Sequence, residues 1–221
     1  MKIALICGSP KAKDSASEEL LGMLERCFPN DGSCINFRMN RNELTQSDVA
    51  SIMACDALVF AFPLYVDAIP SHMLRCLEQL EREFTERGSK DNIVYGICNC
   101  GFPEGRQCNI ALDMLNVWAL KSGLRWGRGV AIGGGGGLAY PVMKKVPDGA
   151  GPKKGPHDAM VHLAAEIMNG FTSSAAYKHL VTGTMGDTFS SRIFYKMGAH
   201  MGWHQMAKAN GLKKKDLGKK L

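Results

Sequence analysis

The chain has 221 residues, 45% of them hydrophobic, which is enough to bury a substantial core in one domain and leaves little room for a second full domain. It holds no run of eighteen uncharged apolar residues, and its start reads as a strand rather than a signal peptide, so the expectation is a cytoplasmic protein with no integral membrane segment. The formal charge is +6, but Lys213, Lys214, Lys215, Lys219 and Lys220 against Asp216 put +4 of it in the last nine residues, so the body is nearly balanced, the tail reads as a solvated basic terminus, and no nucleic-acid partner is expected.

In chain order, Lys2 to Cys7 is almost continuously apolar, the pattern of a strand buried on both faces of a parallel sheet. The loop GSPKAKDSAS follows, and its glycine, serines and lysines at a helix start offer backbone N–H groups, hydroxyls and positive charge to an anion. It contains neither G-x-G-x-x-G nor a GK[ST] triplet. Ser15-Ala16-Ser17-Glu18 fits a capping box, and Leu20, Leu21, Leu24 and Cys27 continue at helical spacing.

Four further strands are expected at Ser33 to Met39, Ala57 to Ala61, Asn92 to Asn99 and Gly129 to Gly133. Helical patterns alternate with them. A short one spans Gln46 to Ala54. Residues 71 to 84 place Met73, Leu77, Leu80 and Phe84 on one face, and residues 157 to 169 place Met160, Leu163, Ala164, Ile167 and Met168 on a stripe. Residues 107 to 121 carry Ile110, Ala111, Met114, Leu115, Val117 and Trp118, an apolar face too wide for one sheet contact, which predicts a partner subunit and a homodimer. Gly133 to Gly137 reads as a mobile crossing near a site entrance, and Gly198 and Gly202 as an allowance for close packing of a C-terminal helix.

The eight cysteines lie mostly inside these apolar segments and are expected to be reduced thiols. Cys98, Cys100 and Cys108 lack the spacing of a zinc site or an iron–sulfur cluster, and His200 and His204 lack the HExxH context, so no metal site is expected.

Strands alternating with helices argue for an α/β protein with ligands beyond the carboxyl ends of the strands. The loops after the first, third and fourth strands should therefore converge. Two of them, FPLYVDAIP and NCGFPEGRQ, carry an aromatic residue beside a turn, and with the anion loop they suggest a phosphorylated aromatic ring as ligand.

GSPKAKDSAS, the run P-L-Y-V-D-A-I-P (Pro63 to Pro70) and N-C-G-F-P-E (Asn99 to Glu104) together resemble the flavodoxin-like NAD(P)H-dependent FMN reductases over residues 1 to 170. The resemblance implies a doubly wound five-stranded parallel sheet in the order 2-1-3-4-5, with FMN at its switch point. Residues 1 to 170 would form the FMN-binding domain, and 171 to 221 a C-terminal helical extension with the basic tail. Carried over by position, Ser9, Lys11, Ser15, Ala16 and Ser17 would hold the FMN phosphate. Pro63, Leu64, Tyr65 and Val66 would line the ring and ribityl chain, and Asn99, Cys100, Gly101 and Phe102 would close the other edge.

The implied activity is ping-pong hydride transfer from NADH or NADPH through the flavin to a small acceptor such as a quinone or free flavin. No catalytic side chain is required; backbone donors of the Tyr65 and Cys100 loops would stabilise charge on the ring. Two other functions fit the same pattern, a flavodoxin-type electron carrier and a non-redox interaction module. A carrier docking on basic partners would show an acidic face, and the near-neutral body disfavours it. A carboxylate at position 17 is expected to be tolerated by the fold while repelling a phosphate.

Overall fold

A computed structural model describes residues 1–29, 33–173, 179–184, 189–213 and 216. Residues Met1–Thr184 form one compact unit and Met185–Leu221 a second. In the first unit six strands run β1 (Lys2–Cys7), β2 (Ser33–Arg38), β3 (Ala57–Pro63), β4 (Ile93–Asn99), β5 (Arg125–Gly133) and β6 (Leu180–Gly183). Every pairing is parallel, and the spatial order is 2-1-3-4-5-6. The expected 2-1-3-4-5 order is thus present, extended by a sixth edge strand drawn from beyond residue 170. Six helices accompany the sheet: α1 (Ala16–Glu25), α2 (Gln46–Met53), α3 (Ser71–Arg87), α4 (Asn109–Lys121), the single turn α5 (Pro141–Lys144) and α6 (Lys154–Met168).

Alternation along each strand sends side chains to opposite faces, so one strand feeds two cores. Ile6, Leu58, Phe60, Val94 and Ala131 pack with Ile52 of α2, Met73, Leu77 and Leu80 of α3, and Leu115 and Trp118 of α4. Leu5, Val59, Tyr95, Ile97 and Val130 pack on the other face with Leu20 and Leu24 of α1 and Met160, Leu163 and Ile167 of α6. Trp118 ties α4 to α3 by donating its indole N–H to the Leu77 carbonyl at 2.9 Å, while its ring meets Phe60 edge-on at 5.5 Å. In the 157–169 stripe Met168 is the exception, lying 44% exposed at the helix end.

The glycine run after β5 is not a loose crossing. Gly133, Gly134 and Gly135 are buried, and Gly135–Ala139 winds into a 3₁₀ turn. A Cβ on Gly133 would stand 2.0 Å from the Pro103 carbonyl oxygen and 2.6 Å from Gly105 N. The run brings backbone against backbone, which only a residue without a side chain allows.

In the second unit α7 spans Phe189–Ala209, with His200 and Trp203 rings meeting edge-on at 5.8 Å. A Cβ on Gly198 or Gly202 would meet nothing within 4 Å among the described residues. Lys214, Lys215, Lys219 and Lys220 of the basic tail lie outside the described residues. No helix among the described residues is long and apolar enough to cross a membrane.

Gly133→Ala should cost about 3 kcal/mol or more, because the atoms it strikes are backbone and cannot rotate away. Gly136→Ala, which meets nothing within 4 Å, should be neutral to slightly stabilising. Guanidinium unfolding of both variants checks the contrast.

Candidate functional site

At the carboxyl end of β1 the chain turns under tight constraint. Gly8 N donates to the Ala61 carbonyl at 2.8 Å, and a Cβ at Gly8 would lie 2.3 Å from Met73 Sδ. His72 Nε2, in the first turn of α3, donates to the Gly8 carbonyl at 3.2 Å. Ser9 Oγ accepts from Lys11 N at 3.3 Å, and Asp14 adopts a left-handed φ of 56° that turns the loop into the helix. Ser15 then caps α1, its Oγ accepting from Glu18 N at 3.1 Å. Only half of the expected capping box forms, because the Glu18 carboxylate pairs with Arg38 at the end of β2 instead of reaching back to Ser15. No acceptor for the N–H groups of Ala16 and Ser17 is found among the described residues. They are the open donors of a helix N-terminus.

The loops after β3 and β4 are joined to this turn by one side chain. Asn99 Nδ2 donates to Ser17 Oγ at 3.0 Å and to the Phe62 carbonyl at 3.1 Å, while the Asn99 carbonyl accepts from Leu64 N at 2.8 Å. Asn99 is 3% exposed and Ser17 1%. Beyond Pro63, the last residue of β3, Tyr65 and Ala68 exchange backbone hydrogen bonds of 3.1 and 3.0 Å around a tight turn. Its two central residues, Val66 and Asp67, both sit at positive φ, 49° and 58°. This is the pattern of a type I′ turn, made without glycine. The Val66 side chain is 98% exposed, and Tyr65 is about half exposed.

After β4 the Cys100 N–H donates to the Ile132 carbonyl at 3.0 Å, and Gly134 N donates to the Phe102 carbonyl at 2.6 Å. Phe102 projects to solvent at 54% exposure. The Cys100 thiol faces the Phe102 and Glu104 carbonyls at 3.6 and 3.7 Å. Its hydrogen bond with Cys108, followed by burial, raises its pKa well above the thiol range. At Cys108 the bond with Cys100 acts downward, but the bond with Cys98 and burial outweigh it, so that thiol too is raised. All eight cysteines are free thiols, and no metal-binding cluster is found among the described residues.

The segment from Pro141 to Lys153 is strapped over α1. Lys144 pairs with Asp14, and the hydrogen bond between them lowers the Asp14 pKa. The Lys153 ammonium, 3% exposed, lies 2.8 Å from Glu19 and 3.4 Å from Asp148. Arg26 reaches Asp148 at 2.8 Å. Burial raises the Asp148 carboxyl, but Arg26 and Lys153 outweigh it and hold it below its ordinary value of 3.8. A cavity of about 260 Å³ remains between strap and loop, lined by Lys13, Asp14, Ser15, Glu18, Glu19 and Lys144 among others.

The structure therefore brings the residues singled out in the sequence to one end of the sheet, in two classes. Ser9, Ser15, Ala16, Ser17, Asn99 and Cys100 are buried, whereas Lys11, Tyr65, Val66, Gly101 and Phe102 are exposed and Pro63 and Leu64 are intermediate. Two expectations change. The N–H groups of Leu64, Tyr65 and Cys100 are spent on carbonyls, which leaves Val66 and Asp67 as the turn donors without an acceptor among the described residues. Ser17 is buried and bonded to Asn99, so a carboxylate there would disturb the fold. Sequence reasoning passed over His72, Asp14 and Lys144, whose roles depend on long-range contacts with no local pattern.

Val66→Asn should raise stability by about 1 kcal/mol, since a β-branched residue carries a left-handed penalty that asparagine largely escapes; thermal unfolding checks it. The Asp148 contribution has a defined pH dependence. Its folded pKa is depressed, so the stabilisation is fully present above pH 3.8 and is lost as pH falls through the lower folded value. The stability difference between the protein and Asp148→Asn should therefore be constant near neutrality and shrink below that pH in denaturant titrations.

No protein-family model matches the sequence, and no curated protein matches it. Solved structures do match in fold. An NADH:FMN oxidoreductase in its apo form is 16% identical, with a TM-score of 0.56, over 81% of this chain and 94% of its own. The NAD(P)H:quinone oxidoreductase from Methanothermobacter marburgensis is 16% identical, with a TM-score of 0.53, over 80% of this chain and 99% of its own. An FMN-dependent NADH-azoreductase from Bacillus anthracis, solved in complex with FMN, is 14% identical, with a TM-score of 0.50, over 76% of this chain and 99% of its own. What this chain shares with these three proteins is the flavodoxin-like α/β fold.

Proposed function

We propose that this chain binds FMN at the carboxyl ends of β1, β3 and β4 and acts as an NAD(P)H-dependent oxidoreductase that delivers electrons to a small acceptor such as a quinone or flavin. The observation that carries the reading is the Asn99 side chain, which locks the three loops together at the point where the strand order reverses between β1 and β3. The donor set fits a terminal phosphate. The open Ala16 and Ser17 N–H groups lie at a helix N-terminus, with the Ser9 hydroxyl and the exposed Lys11 ammonium in the same loop. No second nucleotide fingerprint accompanies them in the sequence, which favours FMN over FAD.

The exposed Tyr65 and Phe102 rings offer flat apolar surface on the loops after β3 and β4, and the half-buried Pro63 and Leu64 lead into the first of them. The Val66 and Asp67 N–H groups at the turn tip are suited to hydrogen-bond a polar ring edge. Ser17 Oγ, accepting from Asn99, keeps its own proton to donate. The bound flavin would supply hydride acceptance and two-electron storage.

FMN added to the apoprotein should lose fluorescence on binding, and Lys11→Glu should weaken that binding about tenfold or more while leaving the circular dichroism unchanged. Rapid mixing of the loaded protein with NADH or NADPH should bleach the flavin, and a quinone should restore its colour without a protein partner. Reduction only through another redox protein would favour the carrier. Absence of quenching at micromolar protein would remove the flavin reading altogether.

A further inference from the structure

Three carboxylates crowd the helix N-terminus that the proposed function assigns to a phosphate. Asp14, Glu18 and Glu19 line one cavity of about 260 Å³ together with the Ser15 cap, Lys13 and Lys144. Within residues 9–19 two lysines, Lys11 and Lys13, stand against these three acids, a net charge of −1. Left to itself, the loop attracts an anion through its N–H groups and repels it through its side chains.

Each of the three carboxylates is paired with a cation brought from far along the chain. Asp14 meets Lys144 of α5, Glu18 meets Arg38 at the end of β2, and Glu19 meets the Lys153 ammonium at 2.8 Å, with Arg26 more distant at 4.0 Å. The separations in sequence are 130, 20 and 134 residues. Asp148, the acid of the strap itself, is taken up by Arg26 at 2.8 Å, so these two charges cancel. Adding Arg38, Lys144 and Lys153 turns the −1 of the loop into +2. Two of these three cations belong to the strap. We infer that the Pro141–Lys153 strap completes the phosphate site through the carboxylates around it: Lys144 and Lys153 are positioning residues that cancel Asp14 and Glu19, so that the start of α1 presents net positive charge. The inference rests on the reading that this loop takes a flavin phosphate.

Three roles for Lys144 differ in sign. A lysine that touched the phosphate would be missed whatever residue stood at position 14. A lysine that only tethered the strap would be missed equally when Asp14 lost its charge, since either change breaks the pair. A lysine that cancels Asp14 is missed only while Asp14 is charged. Asp14→Asn separates these cases cleanly, because asparagine tolerates the left-handed φ of 56° found there. Lys144 is exposed, so its removal strands no buried charge, whereas removal of the 3% exposed Lys153 would.

Quenching titrations of FMN, and of riboflavin, which has no phosphate, with the full chain and its variants test this. At low salt Lys144→Gln should weaken FMN binding about fivefold to tenfold, and Lys144→Arg should restore it. Asp14→Asn alone should bind FMN at least as tightly as the parent protein, and added to Lys144→Gln it should recover affinity to within about twofold. Riboflavin affinity should be unchanged throughout, and the Lys144→Gln defect should shrink in about 1 M salt, where the screening length is about 3 Å. Unchanged FMN affinity in Lys144→Gln, weakened affinity in Asp14→Asn, a defect that Asp14→Asn does not repair, or an equal defect with riboflavin would each overturn the role of the strap and leave the flavin reading standing. No quenching of either flavin by the parent protein would remove the flavin reading and this inference with it.

Discussion

A single buried amide sets the geometry of the strand ends. Asn99 stands at the last position of β4, and its one amide nitrogen donates to a hydroxyl on α1 and to a carbonyl on β3. Both hydrogens are committed and the group is almost fully buried, so none of its partners moves without leaving a polar atom unsatisfied at a cost of about 1–3 kcal/mol. Aspartate would occupy the same volume and offer no donor. The start of α1 is thereby fixed relative to the turn at Tyr65, and the open N–H groups of that helix stand at a set position relative to the exposed aromatics.

The rest of the site region is held from behind rather than from within. Residues Phe102 to Gly105 touch the backbone of Gly133 and Gly134 directly, an approach that two side chains would have prevented. On the other side of the anion loop, ion pairs from Lys144, Lys153 and Asp148 hold the Pro141–Lys153 segment against α1. These two supports differ in kind. The glycine contact is steric and independent of pH and salt. The strap is electrostatic: the exposed Lys144–Asp14 pair contributes little and is screened by salt, while the buried Lys153 ammonium requires its carboxylates.

The parallel core was legible because it obeys local rules. Lys2–Cys7 and Ala57–Pro63 are apolar runs bounded by turn residues, and Met73, Leu77, Leu80 and Phe84 repeat at helical spacing and are all buried. β6 escaped notice since it is four residues long, half-exposed and ends on a glycine, so it carries neither an apolar run nor a clear alternation. The anion loop was visible from its composition, yet its inner arrangement was not. Serine spacing predicted the Ser15 cap, but Arg38 claimed the Glu18 carboxylate from twenty residues away, and burial of Ser17 followed from Asn99, far along the chain. The glycine run read as looseness in sequence and is a close contact in three dimensions, because sequence records the absence of a side chain without recording what fills its place.

The thiols near the site are kept quiet by the same contacts that shape its loop. Cys98, Cys100 and Cys108 lie together beneath the loop after β4, and the latter two are raised above the thiol range, as Cys76 is pushed up to about 11 by burial on the same side of the sheet. Cys100 and Cys108 therefore hold their protons, and a protonated thiol is a poor nucleophile. Protonation also leaves Cys100 able to donate towards the Phe102 and Glu104 carbonyls, so the property that makes the thiol chemically quiet is the one that lets it hold the loop's shape.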